Sequence, residues 1–250
     1  MNKQQLLEEL KREGFSELIL KAFETVEREK FIPKEFRQWA YENNALPTVG
    51  SSTISQPYTI AFMLDLLELD KLINNTKLVI NKINKDYESD NINMTDKGEK
   101  VNKQEQLRHK GFNITNKNKT IKILEIGSGS GYVIALIEEM LRQLSIKNYR
   151  IIGLEIIDEL VEKSREIFQN NKQITIIKKN GSQGLKEKAP FDRIIASASF
   201  EKIPEHLFEQ LNNNGLFVCP IKNSIFQFKK INKKIESKEY EGFVFVSMEE

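Results

Sequence analysis

The sequence predicts an α/β protein: a mostly parallel sheet with helices on both faces. Three observations predict it. From Ile121 onward, short apolar runs alternate with segments of helical period, the pattern of strands buried on both faces and joined by crossover helices. One such run, Ile123-Leu124-Glu125-Ile126, leads straight into Gly127-Ser128-Gly129-Ser130-Gly131 and an apolar helix, so a buried strand delivers the chain to a loop where a ligand can approach the backbone closely. The next run, Ile152-Gly153-Leu154, ends in Glu155, where a carboxylate can accept a pair of hydroxyls.

The elements follow in order. Residues 1–37 read as helical, with Leu6, Leu7 and Leu10 on one stripe and Leu18, Ile19, Ala22, Phe23 and Val26 on another, until Phe31-Ile32-Pro33 breaks the period. Residues 40–57 read as an irregular loop holding Asn43-Asn44, Pro47, Gly50 and a Ser/Thr run. Pro57 suits the first turn of a helix that Ile60, Met63, Leu64 and Leu67 carry to about Leu69. Residues 71–119 contain ten Asn, ten Lys and no Pro, the composition of a polar, low-complexity insertion; a short strand or helix at Leu78-Val79-Ile80 stays open. Strands are expected at 121–126, 150–155, 173–178, 191–197 and 215–221, with helices at 131–144, 158–170 and 203–213. Two later strands, at 225–231 and 242–248, supply an antiparallel edge. Residues 1–70 and 120–250 are thus expected to form one domain interrupted by 71–119.

Composition narrows the class. In 250 residues, 38 basic and 36 acidic side chains leave a net charge of +2, which gives no electrostatic case for a dedicated nucleic-acid binder. A single cysteine, Cys219, excludes an internal disulfide, and its apolar run Leu216-Phe217-Val218-Cys219-Pro220 marks it as a buried strand residue rather than a nucleophile. Two histidines, His109 and His206, are too few for a histidine-built metal site, and no metal is expected. Met1-Asn2-Lys3-Gln4-Gln5 has no apolar leader character and no run approaches membrane-spanning length. The expectation is a cytoplasmic monomer with neither membrane nor nucleic acid as partner.

The glycine loop carries the chemistry. Gly127, Gly129 and Gly131 spell G-x-G-x-G, whereas a dinucleotide fingerprint places its last glycine where Tyr132 stands. That departure points away from NAD and toward S-adenosylmethionine, with Gly127, Ser128, Gly129, Ser130 and Gly131 as the cofactor loop. Glu155 either accepts both ribose hydroxyls or caps the helix region at Asp158. Glu125 either holds the loop or meets the cationic end of the cofactor. After the third strand, Asn180-Gly181-Ser182 falls beside the adenine in such a sheet; Asn180 bonds an adenine edge or simply makes the tight turn that Asn-Gly favours.

At this point the residues resemble the protein-L-isoaspartate (D-aspartate) O-methyltransferases. The landmarks run in order: Phe31-Ile32-Pro33, Ala40-Tyr41-Glu42, Leu46-Pro47, Thr53-Ile54-Ser55-Gln56-Pro57, Leu124 to Tyr132, Ala189-Pro190-Phe191-Asp192, Ile203-Pro204, Gln210-Leu211 and Pro220. All six prolines fall on them, and the likeness covers nearly everything outside 71–119. It departs where Asn180 stands in place of the family's Asp. The resemblance implies a Rossmann-like S-adenosylmethionine methyltransferase fold with an N-terminal helical cover and a C-terminal β extension. It implies methyl transfer to the free carboxylate of L-isoaspartyl residues in damaged proteins. Carried over by position, Ser52, Thr53 and Ser55 line cofactor and acceptor, with Ser55 as the active-site serine, and Gly127, Glu155, Ile156 and Asn180 contact S-adenosylmethionine. Ser55 also reads as an N-cap for the helix at Pro57. Two other readings stay open: a methyltransferase of this fold acting on another acceptor, such as a small acid or a modified peptide, and a non-catalytic module using its Asn/Lys-rich insertion as a partner surface.

Overall fold

The computed structural model describes residues 1–50, 52–72 and 120–245. The chain divides into two units, Met1–Glu68 with Ile121–Glu250, and Leu69–Thr120. Apart from residues 71 and 72, the expected insertion at 71–119, with its open Leu78-Val79-Ile80 segment, lies outside the described residues. The larger unit holds the sheet and its helices.

The N-terminal helices form as their stripes predict. In α1 (Lys3–Arg12) the Asn2 and Gln5 side chains close a reciprocal capping box, and Leu6 and Leu10 face the core. In α2 (Glu17–Thr25) the buried face is Ile19, Leu20, Ala22 and Phe23. Short 3-10 segments at Arg28–Phe31 and Lys34–Trp39 follow. The segment expected to be irregular contains a small antiparallel ladder, β1 (Leu46–Pro47) against β2 (Thr53–Ile54). Pro57 opens α3 (Pro57–Leu66). The N-cap residue is Gln56, and no side chain caps this helix, so the capping role read for Ser55 is not the one the structure gives it.

Seven strands make one sheet. They are β3 (Ile121–Ile126), β4 (Tyr149–Glu155), β5 (Ile174–Lys178), β6 (Phe191–Ala196), β7 (Leu211–Ile221), β8 (Ser224–Ile231) and β9 (Lys234–Glu241), in the order β5-β4-β3-β6-β7-β8-β9. The first five are mutually parallel, and β8 and β9 are antiparallel to their neighbours. Helix α4 (Tyr132–Gln143) joins β3 to β4, and α5 (Asp158–Ile167) joins β4 to β5. The chain builds outward from β3 in one direction and from β6 in the other, so the topological switch point lies between β3 and β6. Ligands bind beyond the carboxyl ends of the strands at such a point. Leu124 sits level with Ile152 on one side and Ile194 on the other, both flanks of a strand with no wet face.

Two boundaries differ from expectation. The helix expected at 203–213 is a 3-10 turn, Glu205–Gln210, after which β7 begins at once. Pro204 precedes this turn, Asn212-Asn213-Asn214 is poor helix sequence, and the Gln210 carboxamide is engaged by Leu185 N and Gln183 O. The last strand, expected at 242–248, is instead Lys234–Glu241; residues 242–245 are not in a strand, and 246–248 lie outside the described residues. The reason is a two-residue hairpin at Asn232-Lys233, both with positive φ, the conformation such turns need but without the glycine that advertises it.

The core centres on Phe191, Phe217 and Phe228 with Leu124, Ile126, Ile194 and Leu207. Phe217 is fully buried, with the Phe200 and Phe228 rings 6.3 and 6.0 Å away. Phe217→Ala is expected to cost about 3–5 kcal/mol of stability in urea titration; a loss under about 1 kcal/mol would mean that this ring is not structurally central.

Candidate active site

A cavity of about 820 Å³ opens at the carboxyl ends of β3, β4, β5 and β6. The loop after β3 forms its floor. Gly127 N and Ser128 N both donate to Leu154 O at 2.9 Å, and Gly131 N donates to Ser128 O at 2.8 Å. Gly127, Gly129 and Gly131 have φ of 73°, 53° and 87°, a region that L side chains avoid. A Cβ on Gly129 would meet nothing within 4 Å, so its bare backbone faces open space.

Ser52, Thr53, Ser55, Glu125, Gly127, Ser128, Gly129, Ser130, Glu155, Ile156, Asn180 and Gly181 all line this cavity. Gly131 does not. It caps α4 under the ring of Phe168, 2.6 Å from where a Cβ would sit, so its place is in helix packing. Gly181 lines the cavity and also lets the turn after β5 close on β3, since a Cβ there would lie 2.5 Å from Ile126 Cγ2.

The two carboxylates have different surroundings. Glu155 is buried and accepts three backbone N–H groups: Gly129 N on Oε2 at 2.7 Å, and Ile156 N and Ile157 N on Oε1 at 2.8 and 3.0 Å. It therefore does clasp the turn before α5, and it also ties that turn to the glycine loop. Glu125 accepts from Ser197 Oγ on Oε1 at 2.7 Å, while its Oε2, like Ser128 Oγ, is buried with no partner among the described residues. Burial, and to a lesser degree the nearby Glu155 charge, push the Glu125 carboxyl up to about 8 against the pull of the Ser197 bond. Asn180 Oδ1 accepts from Ser182 N at 2.9 Å, the side-chain turn that Asn-Gly favours.

The Ser/Thr loop is held from behind by Arg28. This guanidinium is fully buried and pairs with no carboxylate among the described residues. It donates instead to the carbonyls of Ala40 (3.1 Å), Glu42 (3.3 Å), Asn44 (3.2 Å) and Ser55 (2.9 Å), and stands 5.9 Å from the centre of the Tyr132 ring. Burial brings its pKa down to about 10, which leaves it charged at neutral pH. Asn43 adds a second clasp, donating to Glu9 Oε1 at 2.6 Å and accepting Tyr58 N at 2.9 Å. Ser52 Oγ donates to Val49 O at 2.6 Å, so its hydroxyl serves the loop. The half-buried Ser55 is held by its carbonyl, not its hydroxyl.

Several lining residues escaped the sequence reading. Ser197, Ala198 and the segment Glu241–Phe245 line the cavity. Ser197 was legible in principle, since a hydroxyl just past β6 must face the strand beside it. The C-terminal segment had no such signal. Among the described residues, no His, Cys, Asp and Glu cluster is placed to hold a metal ion, and no helix is long and apolar enough to cross a membrane.

A doubly wound sheet with a G-x-G-x-G loop at its switch point and an acidic residue closing the next strand defines a Rossmann-like methyltransferase. The family model of the protein-L-isoaspartate (D-aspartate) O-methyltransferases matches residues 1–78 and 100–250, and the chain belongs to that family. It is 33% identical over 230 residues to the protein-L-isoaspartate O-methyltransferase of Petrotoga mobilis, covering 90% of this chain and 82% of that one. With the Dictyoglomus thermophilum enzyme of the same name it shares 32% over 235 residues, 93% and 82% of the two chains. A crystal structure from Plasmodium falciparum in complex with S-adenosyl-L-homocysteine has the same fold, with a TM-score of 0.69 at 24% identity over 100% of this chain and 99% of that one.

Two measurements test the wiring. Arg28→Lys leaves carbonyls without donors and is expected to cost about 2–4 kcal/mol in urea titration; an unchanged midpoint would remove Arg28 as the clasp. The folded Glu125 carboxyl holds its proton to about pH 8 while the unfolded one releases it near 4.5. Its contribution to stability is therefore full below 4.5 and lost as pH rises through about 8. Glu125→Gln stays neutral, so its stability is expected to gain on the wild type by on the order of 1 kcal/mol per pH unit across that window. Parallel pH profiles would contradict a buried, protonated acid.

Proposed function

We propose that this chain transfers a methyl group from S-adenosylmethionine to the free carboxylate of L-isoaspartyl residues in damaged proteins. The observation that carries the reading is the meeting of the glycine loop, Glu155, the unpartnered Glu125 Oε2 and Ser55 around one cavity. These features fit the cofactor: bare backbone at Gly129, an anchored carboxylate for ribose hydroxyls, and an orphaned buried carboxyl oxygen, protonated in the ligand-free protein, that a cationic amino group would hold ionised. When bound, S-adenosylmethionine supplies an electrophilic methyl on a positively charged sulfur.

The residues divide the remaining work. Three N–H groups already occupy Glu155, and a carboxylate offers about four acceptor positions. One position on Oε2 is open to a ribose hydroxyl, and a second hydroxyl bond requires Gly129 N to give way. Ser128, Ser130, Ile156, Asn180 and Gly181 line the nucleoside, with Ser52 and Thr53 on the side of the acceptor. Ser55 orients the acceptor through its hydroxyl while Arg28 fixes its backbone. No general base is called for, because an unperturbed carboxylate ionises near pH 4 and arrives as the nucleophile. Bringing an anion to a cation neutralises charge as the methyl moves, so shielding from water and alignment favour the reaction. Cys219 is buried in β7, where burial raises its thiol pKa, and it takes no part. We further read the protein as a cytoplasmic monomer without membrane or nucleic-acid partners, and 71–119 as an insertion in a single catalytic domain; the family model's gap at 79–99 supports the last point.

The test pairs methyl-labelled S-adenosylmethionine with two matched peptides, one bearing L-isoaspartate and one L-aspartate. Base-labile label is expected on the isoaspartyl peptide alone; label on neither, with cofactor binding intact, would refute the assignment. Ser55→Ala is expected to lower kcat/KM roughly 10- to 100-fold while cofactor affinity is unchanged. A variant with full activity would remove Ser55 from the acceptor site.

A further inference from the structure

One set of side chains is used neither by the core nor by the chemistry. Six aromatic rings, from three separate parts of the chain, form a continuous half-buried ladder at the cavity mouth. Phe15 meets Tyr58 edge-on at 5.5 Å, Tyr58 stacks with Phe62 at 6.3 Å, and Phe62 meets Phe243 at 5.1 Å and Tyr240 at 5.2 Å; Phe243 continues to Phe245 at 6.4 Å. None of the six is fully buried. Tyr58, Phe243 and Phe245 line the same cavity as Ser55 and Glu125, so the ladder continues the wall of the site out to the surface. Between two of its rings stands Val244, 89% exposed. The Lys238 ammonium lies 4.8 Å from the centre of the Tyr240 ring, which leaves Phe243 and Phe245 as the uncharged end of the ladder. Such a connected apolar surface beside a site marks where something docks.

We infer that this ladder is a subsite for the peptide on either side of the reacting isoaspartyl residue, and that it selects chains with aromatic or large apolar neighbours over charged ones. The inference rests on the methyl-transfer reading above. It follows from what such an acceptor is: the carboxylate belongs to a residue inside a polypeptide, so entry into the cavity brings the neighbouring residues to its rim. At that rim they meet ring faces and edges, which reward aromatic and aliphatic contact, whereas an ion pair with the exposed Glu241 of the same wall is worth little in water.

The test uses isoaspartyl peptides of one length whose flanking residues are Phe, Ala, Lys or Glu. The Phe-flanked peptide is expected to show a KM roughly three- to tenfold below the Ala-flanked one, with kcat nearly equal, and the charged peptides a KM at or above that of Ala. In Phe243→Ala, the KM for the Phe-flanked peptide is expected to rise to that of the Ala-flanked one. Phe243→Tyr restores the preference if the ring itself is responsible. Thermal melting and S-adenosylhomocysteine titration check that each variant is folded and binds cofactor; should Phe243→Ala not fold, Phe243→Leu takes its place and is expected to weaken the preference. Turnover with KM values indifferent to flanking residues, or a preference that survives loss of the ring, overturns the subsite while leaving the function standing. No turnover of any isoaspartyl peptide overturns both.

Discussion

A buried positive charge with no carboxylate partner among the described residues organises this site. Arg28 gives its guanidinium hydrogens to four carbonyls that come from the 40–44 segment and from Ser55. A cation taken from water at such cost stays only where most of its donors are met: the two terminal nitrogens reach the four carbonyls, while Nε is buried with no partner among the described residues. The consequence reaches the reaction centre through the backbone. With its carbonyl held, Ser55 has its hydroxyl to offer elsewhere, and α3 begins two residues later at Pro57 without any side-chain cap. The same guanidinium lies near Tyr132, the first residue of α4. The Ser/Thr loop and the glycine loop, far apart in sequence, are thus referred to a common side chain.

On the other wall, Glu155 plays the matching part. Its three N–H donors come from the glycine loop and from the turn ahead of α5, and it welds the ends of β3 and β4 into one rim. Glu125 stands one strand over with a buried oxygen that no described residue satisfies. The rim thus sets a carboxyl group that accepts three N–H groups beside one that accepts a single hydroxyl.

Much of this was legible from the sequence, and the limits have physical causes. The parallel strands could be read because a strand buried on both faces is mostly apolar, as Ile151 to Leu154 and Ile194 to Ala196 are. The glycine loop could be read because positive φ at Gly127 and Gly129 leaves few alternatives. β9 could not, since Lys234–Glu241 shows water on both faces and loses the alternation that marks a half-buried strand. The end of the helix expected at 203–213 was set by the Gln210 side chain reaching residues 183 and 185, a long-range contact that no local window contains. Arg28 escaped for a similar reason: its four acceptors are main-chain atoms and leave no trace in the identity of the residues that supply them. Ser55 lies in the cavity wall, while its alternative role as a cap failed by one residue, with Gln56 in that position.

The charged hairpin strand also bears on how the molecule behaves in a crowded solution. β8 carries Ile225 and Phe228 into the core, and its free side would present a ladder of unpaired amides to any passing chain. β9 covers that side with a strand rich in lysine and glutamate, side chains that resist continuation of a sheet into a neighbouring molecule. The strand that contributes least to the interior therefore keeps the sheet finite. To an exposed strand of another chain, the molecule therefore offers a charged border rather than an apolar template.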